Sequence, residues 1–250
     1  SSDVCSSDLW METLESVVLA FQKRRNEIDA QADNLTTHLV ESASFGLNTD
    51  NTLGPDTGIL QAIYEGLMKT ADKEWGGFGK APKFPQTFSL TFLLRHAWLT
   101  GEATAYEVAA LSIDKMIQGG LYDQLGGGFA RYSTDREWLA PHFEKMLYDN
   151  ALLLMVIAEI YQQKKEPRYL EVIRETMDFI QREMMHEQKV FYAALDADSE
   201  GVEGKFYTWS RTEIGEILGF TADQFCSFYG VTEKGNWEHT NILQIGRAHV

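Results

Sequence analysis

The stretch GGLYDQLGGGFARYSTDREWLAPHFEKMLYDNALLL, residues 119–154, passes from a long glycine-rich loop into an apolar segment. The run ALLLMVIA at 151–158 is apolar nearly all round, which is typical of a buried helix. Pro141 suits the first turn of a helix because the first turn leaves its amides unpaired anyway. The stretch therefore predicts a loop over 119–141 that delivers polar side chains to the start of a buried helix over 142–164.

The rest of the chain repeats this alternation of amphipathic segments and polar, glycine-containing loops. Apolar residues recur at helical spacing in the segment 10–43. Ser210, Glu213 and Gly219 form a capping box and a helix stop around 210–219. The further predicted helices are 59–72, 87–100, 102–118, 167–187 and 221–230, and the further loops are 44–58, 75–86, 191–209 and 231–243.

This alternation predicts an all-α fold of stacked antiparallel helical hairpins, with short strand pairing in the loop 191–209. Since rich loops follow every second helix, we expect them to gather on one face. An α/α toroid, in which inner helices surround a central funnel, fits this description. An open α-solenoid is the alternative, and the lack of a fixed short-period repeat favours the toroid.

The sequences of the two chain ends are related to each other at the level of DNA. DVCSSD (3–8) and IGRAHV (245–250) can be written as one DNA sequence read from opposite strands, and that sequence resembles a common short-read sequencing adapter. We therefore expect residues 1–9 and 245–250 to be adapter-derived and leave them out of fold reasoning. A biological inverted repeat is the alternative.

The amino-acid composition restricts the kinds of molecule that the protein is expected to bind. The net charge is −15 and no run is rich in Lys or Arg, which argues against nucleic acid or an anionic membrane as the partner. The apolar run 151–158 is too short to span a bilayer. Cys226 is the only cysteine outside the adapter-like ends, and one free cysteine fits a reducing, cytoplasmic location.

The predicted helix at 142–164 starts with ionisable residues. His142, Lys145 and Asp149 would share one helical face, and Glu144 and Tyr148 a neighbouring one. These side chains fit an acid/base cluster projecting from a buried scaffold into the loop mouth. The alternative is a helix start held by local ion pairs, such as Lys145 with Asp149.

A second acidic group follows in LDADSEGVEG, 195–204. In an extended segment Asp196, Asp198 and Glu200 would point the same way, with Glu203 close by. Paired carboxylates suit acid/base work on glycosidic or hydroxyl groups. An Asx turn in a solvated loop is the alternative. The spacing does not match a calcium loop, so we expect no metal.

Aromatic residues lie beside the glycine clusters and at the loops. Phe78, Tyr122 and Phe129 each follow glycines closely, and Trp75, Trp138, Trp209 and Trp237 also lie at loops. Exposed rings beside carboxylates are the usual arrangement for stacking on sugars. Glycines are otherwise turn makers, and a loop tryptophan is often a core residue. No glycine string opens a phosphate-binding turn, so no nucleotide cofactor is expected.

Four motifs together resemble a known family. They are WGGFGKAPKFP (75–85), the stretch 119–154 quoted above, DADSEGVEGKFYTW (196–209) and GNWEHTNIL (235–243). They are similar to the thioredoxin-domain-containing family of spermatogenesis-associated protein 20 and its bacterial relatives, from about residue 10 to 244. The resemblance implies a toroid similar to six-hairpin glycosidases and N-acylglucosamine 2-epimerases, preceded by a thioredoxin-like domain.

On this resemblance, 10–43 would be the helix that closes a missing thioredoxin-like domain, and 59–244 the first part of an incomplete toroid. The uncovered inner helices would leave the isolated chain marginally stable, aggregation-prone and inactive.

The motifs imply a site for a sugar-like ligand and no cofactor. The expected catalytic residues are His142, Glu144, Asp149, Asp196, Asp198 and Glu203. The expected substrate-binding residues are Trp75, Phe78, Phe129, Arg131, Tyr132, Trp138 and Trp209. We therefore expect a carbohydrate-directed, epimerase- or hydrolase-like protein in its longer form. A non-catalytic recognition or scaffold module beside the thioredoxin-like domain is the alternative, and loops whose motifs are purely structural are a third reading.

Overall fold

The computed structural model describes residues 6–44 and 57–245. The chain divides into two units, residues 1–56 and residues 57–250. The predictions for 1–5, for 246–250 and for most of the linker 44–58 lie outside the described residues.

The described part of the first unit is helical. Helix α1 spans Ser6–Lys23 and α2 spans Arg25–Ser44, so the single helix predicted over 10–43 is interrupted at Arg24. Most of the apolar residues that predicted it are exposed, among them Leu14, Val17 and Phe21.

The second unit contains the remaining helices, whose bounds agree closely with the predicted ones except at the start of α6 and at the end of α7, which stops at Glu183 instead of 187. They are α3 (Thr57–Thr70), α4 (Thr87–Thr100), α5 (Ala103–Gln118), α6 (Leu147–Gln163), α7 (Pro167–Glu183), α8 (Arg211–Leu218) and α9 (Ala222–Phe228). The capping box at Ser210 and Glu213 is present, and Gly219 ends α8 as predicted. No helix in the described ranges is long and apolar enough to cross a membrane.

Helical hairpins form the core of this unit. Helices α4 and α5 pack together and are joined only by Gly101 and Glu102, so they run in opposite directions. Helices α6 and α7 pair in the same way, and α4 also packs against α6. Their facing apolar side chains form the largest buried cluster, which includes Leu93 and Ile157, both fully buried. The predicted all-α class with antiparallel hairpins is confirmed.

Short antiparallel strand pairs connect the loops to one another. The pairs are β1 (Tyr132–Ser133) with β2 (Pro141–His142), β3 (Lys145–Met146) with β4 (Ala194–Leu195), β5 (Asp198–Ser199) with β6 (Val202–Glu203), and β7 (Thr208–Trp209) with β8 (Asn241–Ile242). The predicted strand pairing in the loop 191–209 is therefore present. The β3–β4 and β7–β8 pairs hold together loops that are far apart in sequence.

The predicted helix start at residue 142 is wrong. Residues 141–146 are extended because β2 pairs with β1 and β3 pairs with β4, and α6 begins only at Leu147. The amide of Leu147 donates to the carbonyl of Ala193 (2.9 Å), so the neighbouring loop takes over part of the capping. Tertiary hydrogen bonding thus overrides the local preference of proline for a first helical turn.

Candidate functional site

The extended conformation of residues 142–145 decides which side chains meet. Successive side chains of an extended segment point to opposite faces, so His142 and Glu144 share one face and Phe143 and Lys145 the other. The predicted grouping of His142, Lys145 and Asp149 on one helical face is therefore wrong. Lys145 does not pair with Asp149 but with Asp123, at 2.8 Å.

On the first face, His142 lies between two carboxylates. Its Nδ1 is 2.7 Å from Oε1 of Glu203, and its Nε2 is 3.7 Å from Oε2 of Glu144. A carboxylate only accepts hydrogen bonds, so Nδ1 is the donor in its contact with Glu203, and Nε2 is the nitrogen on the side of Glu144. The imidazole is about a third exposed, at 30%, so it is within reach of solvent. We call His142, Glu144 and Glu203 the acid/base cluster.

Arg131 fixes the second carboxylate of the acid/base cluster. Its guanidinium donates to Oε2 of Glu144 (3.0 Å), and its backbone amide donates to the carbonyl of Glu144 (2.9 Å). These two bonds hold Glu144 at both ends of the residue. The structure thus brings the predicted residues Arg131, His142, Glu144 and Glu203 together.

A row of rings leads to His142. Phe84 stacks on Tyr132 with ring centroids 4.7 Å apart, and Tyr132 lies 5.2 Å from the imidazole of His142. Phe84 is 46% exposed, so this row offers an apolar face to solvent beside the acid/base cluster. Sequence reasoning missed Phe84. Its backbone neighbour Lys83 bridges to Ser133, which sets the register, and no local pattern reveals that pairing.

Asp149 lies in the first turn of α6. Burial raises the pKa of its carboxyl to about 6, although the positive charge of Arg131 and a hydrogen bond from Tyr148 both act to lower it. One of its oxygens, Oδ2, is buried without a hydrogen-bond partner in the structure. This carboxyl can therefore hold a proton close to neutral pH.

The other predicted acids are exposed in the hairpin that supplies Glu203. Asp196 accepts a hydrogen bond from the amide of Asp198 (3.2 Å), which is the Asx-turn arrangement. Asp198 is the strand partner of Glu203 across the β5–β6 pair. The chain turns at Glu200, so Glu200 does not continue the extended face predicted for Asp196 and Asp198.

Three of the predicted sugar-stacking rings are core residues. Phe129 and Trp138 are fully buried and Phe78 is 5% exposed, so their faces are covered by protein. The indole of Trp138 also donates to the carbonyl of Trp75 (2.8 Å), and a Cβ at Gly77 would stand 2.6 Å from its ring. The expectation of exposed aromatics at these three positions is wrong, because the rings are packed inside the core, and Gly77 makes room for that of Trp138.

The contacts of Trp75 and Trp209, the two other predicted substrate-binding tryptophans, are with residues other than His142. Trp75 is half-buried under the ammonium of Lys115 (5.5 Å). Trp209 lines a cavity of about 460 Å³ between the loop 120–126 and the segment 199–209. The opposite face of the extended segment, with Phe143 and Lys145, also borders that cavity.

The glycine clusters at 76–77 and 127–128 belong to a repeated structural motif that sequence reasoning missed. The sequence Asp-x3-Gly-Gly-Phe occurs at 72–78 and at 123–129. In each copy the aspartate side chain accepts amide hydrogen bonds from the two residues before the glycines, or from a glycine itself. The spacing was visible in the sequence and could have revealed the motif.

Each copy holds a buried lysine. Lys83 donates to Oδ2 of Asp72 (2.7 Å) and to the carbonyl of Gly76 (2.8 Å). Lys145 donates to Oδ2 of Asp123 (2.8 Å) and to the carbonyl of Gly127 (2.9 Å). A buried lysine destabilises the fold unless its charge is paired and hydrogen-bonded. These lysine bonds therefore hold each loop against the start of the helix that follows.

Within the described ranges, no group of three or more His, Cys, Asp or Glu side chains is placed to hold a metal ion.

Solved structures of other proteins are similar to this chain in fold. No family model matches the chain. Among solved structures, it is similar to a sugar epimerase from a ruminal bacterium (16% identity, 64% of this chain and 48% of the other, TM-score 0.47). It is also similar to the cellobiose 2-epimerase of Spirochaeta thermophila (19%, 56% and 39%, TM-score 0.49). At these identities the likeness concerns the fold alone.

Sequence relatives are closer. Human spermatogenesis-associated protein 20 is 32% identical over 238 residues, which are 86% of this chain and 30% of the human protein. The rat protein of the same name is 33% identical over 251 residues, which are 92% of this chain and 31% of the rat protein. The chain thus spans less than a third of the length of these relatives. It is homologous to spermatogenesis-associated protein 20 over this segment and belongs to that family.

Proposed function

We propose that this segment carries the proton-transfer centre of an enzyme acting on a sugar-like hydroxycarbonyl compound, with His142 as the proton carrier. The observation behind the proposal is the position of His142, with one ring nitrogen held by Glu203 and the other facing Glu144. The reaction class is epimerisation or isomerisation, in which a base removes a proton from the carbon beside a carbonyl and returns it to the other face or to the neighbouring carbon.

The chemistry follows from the two ring nitrogens. Glu203 orients the ring and stabilises the imidazolium that forms when Nε2 takes a proton. Glu144 faces Nε2 and is itself held by Arg131, so a fixed carboxylate stands beside the ring nitrogen that takes the proton. Asp149, with its pKa near 6, is the proposed reserve acid close to Arg131.

Binding is assigned to the row of rings. Phe84 and Tyr132 would meet the apolar C–H face of a sugar, while the polar edge of Arg131 would meet its hydroxyl groups. Asp198 stays in the proposal as a neighbouring acid, because it is the strand partner of Glu203. Asp196 is proposed to shape the turn before Asp198.

Proton abstraction is favoured over glycoside hydrolysis. A hydrolase needs two carboxyl groups that flank the scissile bond across an open gap. Here Glu144 and Glu203 both approach the same imidazole, which suits a histidine base supported by carboxylates.

The experiment is solvent exchange. This chain and, in parallel, human spermatogenesis-associated protein 20 are incubated in D2O with a panel of aldoses and ketoses. Deuterium at the carbon beside the carbonyl is then followed by NMR. In whichever protein exchanges, the expected result is incorporation that falls by about a hundredfold or more when His142, or its counterpart, is replaced by Gln, because a positioned general base contributes that much.

The control for this chain is His38→Gln, an exposed histidine of α2, which should leave exchange unchanged. No exchange and no sugar binding in either protein refutes the proposal. Binding that depends on Phe84, with no exchange, would instead favour a non-catalytic recognition module.

A further inference from the structure

The two copies of the Asp-x3-Gly-Gly-Phe motif differ in whether an arginine binds the aspartate. In the first copy, Arg136 donates from Nε and Nη2 to the two oxygens of Asp72, at 2.6 and 2.8 Å. The backbone carbonyl of Arg136 also accepts from Nζ of Lys83 (3.0 Å). One arginine thus supplies the carboxylate with a two-pronged donor and the lysine with a third acceptor.

The second copy has no such arginine. Among the described residues, Asp123 receives its hydrogen bonds from the amides of Leu125 and Gly126 and from Lys145, and no guanidinium contacts its carboxylate. Lys145 has two oxygen acceptors where Lys83 has three, and its ammonium also lies over the rings of Phe179 (4.4 Å) and Tyr207 (4.8 Å). The nearby Arg182 donates instead to the carbonyl of Gly126 and to Glu183.

The cavity lies against the second copy. Asp123 and Lys145 both line the cavity of about 460 Å³. The side chain of Asp123 is 16% exposed, whereas that of Asp72 is only 4% exposed under Arg136. The carboxylate that lacks an arginine is therefore the one that faces open space.

The other walls suit a flat cation. Phe143, Tyr207 and Trp209 line the cavity. Phe143 and Tyr207 stack on one another with ring centroids 5.6 Å apart, so Trp209 is the ring on which a guanidinium plane would stack. The charged lining residues are Asp123, Glu200, Glu213, Lys145 and Lys205, with the acids in excess. Lys205 is paired with Glu200, which leaves Asp123 without a second cation beyond Lys145.

We propose that this cavity binds an arginine residue of a peptide, which takes at Asp123 and Lys145 the place that Arg136 takes at Asp72 and Lys83. The guanidinium donates to the Asp123 carboxylate, and the arginine carbonyl accepts from Lys145. A lysine side chain has the charge without the planar fork, so it fits this carboxylate less well. This site is on the opposite face of residues 142–145 from the acid/base cluster and does not depend on its function.

The test compares ligands on the unaltered chain. N-acetyl-arginine methylamide, its citrulline counterpart and methylguanidinium are titrated by NMR and calorimetry. Citrulline is neutral and nearly the same shape. The expected result is binding of the capped arginine that exceeds the capped citrulline by about tenfold to a hundredfold, the value of hydrogen bonds to a charged group.

Equal affinity of the arginine and citrulline compounds, or binding of neither, overturns the proposal. Methylguanidinium binding as tightly as the capped arginine overturns the peptide part, because the carbonyl then contributes nothing. Asp123→Asn should remove the preference for arginine, and Asp178→Asn, an exposed acid of α7, should keep it. If Asp123→Asn does not fold, the ligand comparison on the unaltered chain decides alone.

Discussion

Replacing Gly128 by alanine tests whether the glycine clusters serve core packing. Gly128 has φ of +80°, and a Cβ there would stand 2.4 Å from Cδ1 of the buried Phe179 ring. The left-handed backbone alone costs a non-glycine residue roughly 1–2 kcal/mol. Overpacking of a filled core adds about 1–3 kcal/mol. We therefore expect Gly128→Ala to lower the free energy of unfolding by about 2–5 kcal/mol, the sum of those two effects.

The matched control is Gly201→Ala. Gly201 has nearly the same φ, +77°, but a Cβ there meets nothing within 4 Å. It should therefore cost only the backbone contribution, roughly 1–2 kcal/mol. Urea unfolding followed by tryptophan fluorescence at low protein concentration measures both. Equal losses for the two variants would refute the assignment of Gly128 to a packed core motif.

Three further predictions concern other parts of the chain. Asp149 has a raised pKa of about 6, so its ionisation lowers stability as pH rises from the unfolded value near 4 through 6. Asp149→Asn should therefore raise the unfolding free energy at pH above 7 by up to about 3 kcal/mol and leave it unchanged near pH 3; an equal effect at both values would contradict this. Trp138→Phe should cost about 1–3 kcal/mol through its lost buried hydrogen bond, and an unchanged urea midpoint would speak against a core role. The exposed rings of Phe88 and Trp98, each 77% exposed, lead us to expect concentration-dependent light scattering by the isolated chain, whereas a cooperative melt of a pure monomer would contradict it.

The helices were predictable because their signals are local. The predicted bounds 87–100 are those of α4, and Gly101 ends it with φ of +78°. The capping box at Ser210 and Glu213 likewise depends on residues three apart. Periodicity and caps read such features directly from neighbouring residues.

The segment 141–146 was not predictable in this way. Its strand partners lie at 132–133 and at 194–195, so its extended conformation depends on pairing across the chain. The local sequence, with a proline before an apolar run, favours a helix start instead. The error moved Lys145 and His142 onto one face when they lie on opposite faces.

The acid/base cluster was predicted as a list of residues but not as an arrangement. His142 and Glu203 are 61 residues apart in sequence, and the β3–β4 pair joins the segment after His142 to the segment that leads into the β5–β6 hairpin with Glu203. The prediction of exposed aromatic rings was wrong for another reason. Composition cannot separate a ring on a surface from one that a neighbouring glycine admits to the core, as Gly77 admits Trp138.

The position of the proton on the neutral His142 ring tests directly whether His142 is an oriented proton carrier. Long-range proton–nitrogen NMR of the neutral imidazole reports which nitrogen carries the proton. We predict the proton on Nδ1, held by Glu203, and a shift towards the other tautomer in Glu203→Gln, whose amide can also donate to Nδ1. A proton on Nε2 that is unaffected by Glu203→Gln would contradict the assignment of His142 as an oriented proton carrier.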